Sequence, residues 1–210
     1  MLSKISTAEF ELRELTGRSA AEVLTLVKRL TAEREQLRAL RDTGVDVRRR
    51  TRLTVLRLHL ARAHEVYAAL GGVYKPTRRE KTAAAFEASL GAVATVEFSI
   101  GGFFGGYVTT LVTLPDGYVT RRRGPSPDWP DPAVWPVRLG ATQFLADLAD
   151  LHIGEWRAKY ENPEVLDGTQ WTLTFTYLDH RKPVEYYGSN AYPYNFAQLE
   201  RLFDRAAVGR

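Results

Sequence analysis

The sequence predicts an α+β fold: an N-terminal antiparallel helical hairpin packed with a C-terminal antiparallel β-sheet that carries helices on one face. Three observations predict it. Apolar residues recur at three- and four-residue intervals before Lys75, as on a helix buried along one stripe. After Gly91 the spacing changes to alternation, broken by Gly, Pro and Asp turns, as in short strands. Charge divides at nearly the same point: residues 1–82 hold 18 Lys+Arg and 10 Asp+Glu, a net +8, whereas 83–210 hold 11 and 15, a net −4. A basic helical arm over 1–82 and an α+β body over 83–210 follow as the expected domains.

Taken in order, Ser6 and Glu9 stand in capping-box spacing, so a short helix is expected over 7–16, stopped at Gly17. Ser19 and Glu22 repeat that start signal for a long helix. Its apolar positions are Val23, Leu26, Leu30, Leu37 and Leu40, interrupted by Glu33, and Asp42-Thr43-Gly44 ends it. A second long helix over about 46–70 carries Leu53, Leu56, Leu60, Ala63, Tyr67 and Leu70 at heptad spacing without Gly or Pro. Gly71-Gly72 and Lys75-Pro76 break the chain, and Thr77 opens a third helix to about Leu90. Strands are expected over 93–100, 107–114 and 118–123, with Pro115-Asp116-Gly117 as a hairpin turn. A Pro-rich loop anchored by Trp129 and Trp135 then leads to a helix over about 141–152. A second hairpin, 171–178 with 184–187, and a last helix capped by Asn195 complete a ββα-ββα-like order with one extra strand in front.

Composition narrows the chemistry. The chain has no cysteine, which removes thiolate metal sites, disulfides and a cysteine nucleophile. Zero cysteine suits a reducing compartment, so a cytoplasmic protein is expected, although an exported one would also tolerate it. No apolar run follows Met1-Leu2-Ser3-Lys4, so no secretory signal is expected, and no stretch approaches the ~20 apolar residues of a membrane-spanning helix. The glycines at 101, 102, 105 and 106 lack the Lys-Ser/Thr of a phosphate loop and read as a strand bend. His59 and His64 are five apart on one helix, about 140° around it, the wrong spacing for a shared metal. No cofactor or metal is expected.

The strongest lead is arginine. Of 29 Lys+Arg only six are Lys, and residues 43–81 hold ten basic against three acidic side chains, a net +7. With Leu53 at heptad position a, Arg50 and Arg57 fall at e, Arg52 at g and Arg62 at c, so they flank or oppose the apolar seam. Arg48, Arg49 and Arg50 lead into that helix, Arg78 and Arg79 follow the linker, and Arg121, Arg122 and Arg123 lie on a strand. Guanidinium forks suit phosphates and carboxylates, so the expected partner is nucleic acid or an acidic protein surface. Pairing of this helix with Glu33 and Glu35 across the hairpin is the structural alternative.

The favoured expectation is a non-enzymatic binding or regulatory protein whose Arg-rich arm engages nucleic acid. An inhibitor or adaptor that docks on a nucleic-acid-handling protein is the alternative within binding. A hydrolase using His180 or His152 with a nearby carboxylate (Asp179, or Asp150 and Glu155) is the alternative from catalysis. Leu12, Gly17, Val23 and Leu26 partly match helix-turn-helix spacing. Trp156, Tyr160 and Trp171, with the 188–193 segment, offer either an aromatic wall or a loop anchor. The long Leu stripe must be covered either by a homodimer through the hairpin or by the third helix and Phe86 within one chain.

Overall fold

A computed structural model describes residues 6–40, 47–102, 104–129, 136–165 and 167–209. Residues 1–5, the expected helix stop at Asp42-Thr43-Gly44, and the expected anchor Trp135 lie outside them. The chain separates into two compact units, Met1–Thr77 and Arg78–Arg210, so the third helix belongs to the sheet unit.

In the helical unit, α1 (Thr7–Phe10) widens into a π turn over Glu11–Leu15, and α2 (Ala20–Ala39) and α3 (Val47–Ala69) form the antiparallel pair. Ser6 accepts a hydrogen bond from the Glu9 amide, and Ser19 and Glu22 complete a reciprocal capping box, an arrangement worth about 1 kcal/mol. The heptad stripe of α3 is buried within the chain: Leu53, Leu56, Leu60 and Ala63 are at most 3% exposed. Leu56, Leu60 and Ala63 pack with Phe10 and Leu15 of the first helical segment and with Val23, Leu26, Val27 and Leu30 of α2. From Leu53 to Ala63 the stripe is therefore covered without a homodimer, while Leu70 at its end is 45% exposed. Its cover is α1 and α2 rather than Phe86, which packs edge-on to Phe175 and Tyr186 in the other unit. The helix-turn-helix spacing also fails, because Leu12, its first-helix core position, is 71% exposed.

The sheet unit begins with α4 (Arg78–Ser89). Strands β1 (Val93–Gly102), β2 (Gly106–Thr113), β3 (Tyr118–Gly124) and β4 (Val137–Arg138) follow, then α5 (Ala141–Ala149), β5 (Lys159–Glu161), β6 (Gln170–Tyr177), β7 (Val184–Ser189) and α6 (Phe196–Ala206). The strands form one sheet in the order β4-β3-β2-β1-β6-β7-β5. It is antiparallel except at the β5–β7 edge, which is parallel, so the sheet is mixed. Gly117 takes a left-handed φ of +64° in the turn between β2 and β3, as that turn requires.

Register assigns the two faces. Val119, Val112, Val96 and Phe175 make one cross-strand row, and Arg121, Thr110, Phe98, Leu173 and Tyr186 the next. These rows lie on the face that α4, α5 and α6 cover, through Phe86, Phe144, Leu148, Leu199 and Phe203. The opposite face carries Thr95, Glu97, Ser99, Thr109, Arg122, Thr172 and Thr174, as expected of an antiparallel sheet with one polar side. No helix among the described residues is long and apolar enough to cross a membrane.

Candidate nucleic-acid interface

Helix α3 carries six arginines and a single acidic residue, Glu65. The apolar stripe fixes its rotation and therefore distributes them. Arg49 stands four residues before Leu53, at a seam position, and is only 7% exposed, so it belongs to the buried stripe rather than to a surface patch. Arg38, near the end of α2, is likewise buried at 8%, with Glu35 at 2.8 Å. Long guanidinium stems can line such a seam because their methylenes are apolar.

Arg52 and Arg62 are held by acids of the same unit. Arg52 donates from Nε and Nη2 to the two oxygens of Glu33, each at 2.6 Å, which is the cross-hairpin pairing the sequence offered as an alternative. Arg62 donates from Nε and Nη2 to Glu11 at 2.9 and 2.6 Å and from Nη1 to Glu65 at 2.6 Å. The Arg62 guanidinium holds the Glu11 carboxyl below the usual carboxylate range, and the two acids push Arg62 further up. Arg48 is exposed at the start of α3, and Arg50 and Arg57 are half-buried on the flank opposite Arg52. The outward ridge between the flanks, Val47, Thr51, Thr54, Leu58 and Ala61, is exposed and uncharged; Val47 and Leu58 are each 54% exposed.

The other predicted arginines lie in the sheet unit. Arg78 and Arg79 are exposed in the first turn of α4, where the helix dipole disfavours cations. Arg121, Arg122 and Arg123 do not make one patch, since strand alternation sends the middle one to the opposite face. Arg121 pairs with Asp204 at 2.8 Å. Arg122 reaches the Pro127 carbonyl at 2.9 Å and Glu97 at 3.6 Å. Arg123 is exposed.

The histidines are placed as follows. His180 is exposed with a left-handed φ of 56°, and the carboxylate of its neighbour Asp179 is gripped by the Arg181 guanidinium, which lowers the Asp179 pKa. His152, half-buried with φ 50°, ends the turn after α5. His59 is buried and stacks flat on Phe10 at 4.0 Å, and His64 stacks on Tyr74. Among the described residues no three His, Asp or Glu side chains are grouped as metal ligands.

Of the two readings of the aromatic segment, the structure shows the anchor. Trp156 and Trp171 are 6% and 1% exposed, and their indole N–H groups donate to Asn195 Oδ1 at 2.9 Å and to the Ala191 carbonyl at 3.0 Å. Asn195 therefore spends its side chain on Trp156 and the Leu151 carbonyl instead of capping α6. What the sequence did not reveal is a cavity between α6 and β1–β3, lined by Glu200 and Arg121 among others. The spacing of Glu200, Phe203 and Asp204 at i, i+3 and i+4 was its one visible sign. Comparison of the chain with protein-family models, curated proteins and solved structures finds no match.

Proposed function

We propose that the protein is a non-enzymatic binding protein whose helical unit engages nucleic acid through α3. The observation that supports this reading is the segregation of charge by compact unit. Met1–Thr77 holds 15 Lys+Arg against 9 Asp+Glu, a net +6, while Arg78–Arg210 holds 14 against 16, a net −2. Helix α3 alone is net +5. A positive field confined to one unit attracts a polyanion to that unit and leaves the other unengaged. Arg48, Arg50 and Arg57, exposed or half-buried along α3, are the side chains assigned to phosphates. The test is fluorescence anisotropy of the full chain with labelled duplex DNA over a salt series. Affinity is expected to fall steeply with salt. Replacing Arg48, Arg50 and Arg57 by Gln should flatten the log–log slope by up to ~0.9 per arginine. Binding that is absent at low ionic strength, or insensitive to salt, overturns the reading.

A second reading, an acidic protein partner such as a nucleic-acid-handling enzyme presents, is favoured by the exposed ridge of Val47 and Leu58 between arginines. Protein interfaces have that anatomy, with an apolar centre and a polar rim. Poly-glutamate separates the two: at equal salt it should bind more weakly than duplex DNA under the first reading and at least as tightly under the second.

A further inference from the structure

The sheet unit contains a cavity of about 170 Å³ roofed by α6 and floored by β1, β2 and β3. Register builds its floor, because Phe98, Thr110 and Arg121 stand side by side in one cross-strand row. Helical spacing builds its roof, because Glu200, Phe203 and Asp204 project from one side of α6. The rings of Phe98 and Phe203 lie 5.0 Å apart, tilted by 40°, and provide the apolar wall. An apolar cavity of roughly 150 Å³ accepts a benzene ring, so the space suits a body of that size.

Its polar groups are unequally satisfied. Arg121 and Asp204 neutralise each other at 2.8 Å. Glu200 has no hydrogen-bond or ion-pair partner among the described residues, and burial and the neighbouring Asp204 raise its carboxyl pKa, against a smaller opposing pull from Arg201. Thr110 is 2% exposed and lines the same space, and its hydroxyl has no partner among the described residues. The hydroxyl opens onto the cavity rather than onto a protein partner, and the half-buried Glu200 carboxylate borders the same space without a counter-ion. One group can serve both side chains, an ammonium with several N–H donors on a compact apolar body. A carboxylate ligand would instead meet Glu200 and Asp204 with like charge.

We infer that this cavity is a binding site for a small organic ammonium, with Glu200 as its counter-ion, Thr110 as a hydrogen-bond partner and Phe98 and Phe203 as the wall for its apolar body. The site is independent of the nucleic-acid reading, since it lies wholly within the sheet unit. The probe is benzylammonium, titrated into the full-length protein and followed through backbone amide shifts. Saturable shifts centred on Thr110, Arg121 and Glu200 are expected. Benzyl alcohol should bind at least about tenfold more weakly, as should benzylammonium to Glu200→Gln, the loss of one charge-assisted hydrogen bond. A Val108→Phe variant, which fills the cavity without altering its charge, should also lose the shifts while its remaining spectrum stays folded. Equal affinity for the ammonium and the alcohol, unchanged affinity in Glu200→Gln, or shifts centred elsewhere overturn the proposal.

Discussion

The two units bury their polar atoms by opposite means. In the sheet unit the buried polar side chains among the described residues are neutral and, Thr110 apart, hydrogen-bonded. Asn195 joins Trp156 to the Leu151 carbonyl, Ser99 and Thr109 share a bond of 2.9 Å, and Ser89 donates to the Phe86 carbonyl at 2.7 Å. In the helical unit they are ionisable: Arg38, Arg49 and His59 are each under 9% exposed. The cores differ in kind too, a cluster of interlocking aromatic rings against an aliphatic stripe with Phe10 stacked on a histidine. Neutral bonds are indifferent to pH and salt, whereas guanidinium–carboxylate pairs respond to both. The unit assigned to a polyanion is thus also the one whose own cohesion depends on charge.

The largest effects should come from the cores, and they can break this comparison outright. Trp171→Ala removes a side chain that is 1% exposed and touches Trp156, Tyr160 and Phe196, a loss of about 3–5 kcal/mol. Leu56→Ala in the helical stripe should cost about 2–5 kcal/mol. All four tryptophans, at 129, 135, 156 and 171, belong to the sheet unit. Tryptophan fluorescence therefore reports that unit, while far-ultraviolet circular dichroism weighs both. If the units unfold independently, Leu56→Ala shifts part of the dichroism transition and leaves the fluorescence transition in place. A shift of both transitions together would mean a single cooperative body, and the two cores would then not be separable.

What was legible in the sequence follows the range of the forces involved. Helix α3 was expected over 46–70 and spans Val47–Ala69, because heptad spacing is a local signal. The N-cap at Ser6 and the capping box at Ser19 were equally local. Strands β4 and β5, two and three residues long, show no alternation and exist only through pairing with β3 and β7, so nothing local announced them. The parallel edge went unseen for the same reason. Asn195 had N-cap spacing, but a tryptophan 39 residues away claimed its side chain. Among the arginines, heptad positions foretold the flanks, and pairing of this helix with Glu33 stood as an alternative that Arg52 fulfils, whereas Arg62 pairs with Glu11 from 51 residues away. The cavity depends on strand register, which a single chain's pattern does not disclose.

A smaller effect sharpens the contrast between ionic and neutral cohesion. Glu11 has its carboxyl pKa lowered, chiefly by the hydrogen bond from Arg62. A depressed folded value contributes stability above the unfolded carboxyl value, and that contribution is lost as pH falls through the folded value. Glu22 is lowered in the same unit, whereas in the sheet unit the lowered Asp179 is opposed by the raised Glu200. Acidification should therefore weaken the helical unit first, and the dichroism transition should move before the fluorescence transition. Glu11→Gln should narrow the gap by lowering the helical transition near neutral pH while leaving its acid value almost unchanged. Parallel movement of both transitions from neutral to acid pH would count against a charge-dependent helical unit.

The smallest effect comes from Glu200, which breaks the sheet unit's own pattern. Burial and Asp204 raise its carboxyl pKa, the opposite of Glu11. A raised folded value costs nothing below the unfolded carboxyl value, where the group is protonated in both states. The cost grows as pH rises and is complete above the folded value, because the native state must then hold an unfavourable charge. Glu200→Gln removes that charge. The variant's fluorescence transition should match wild type at about pH 3 and exceed it at about pH 7. The rise should be on the order of 1–2 °C, since the carboxyl remains partly solvated and the domain is large enough to dilute a small free-energy change. Benzylammonium should act in the same direction on the wild type, by supplying the missing counter-ion, and leave the variant's transition where it stands. A destabilised Glu200→Gln at neutral pH would mean that the carboxylate is already paired within the fold, and the cavity would have no charge left to offer.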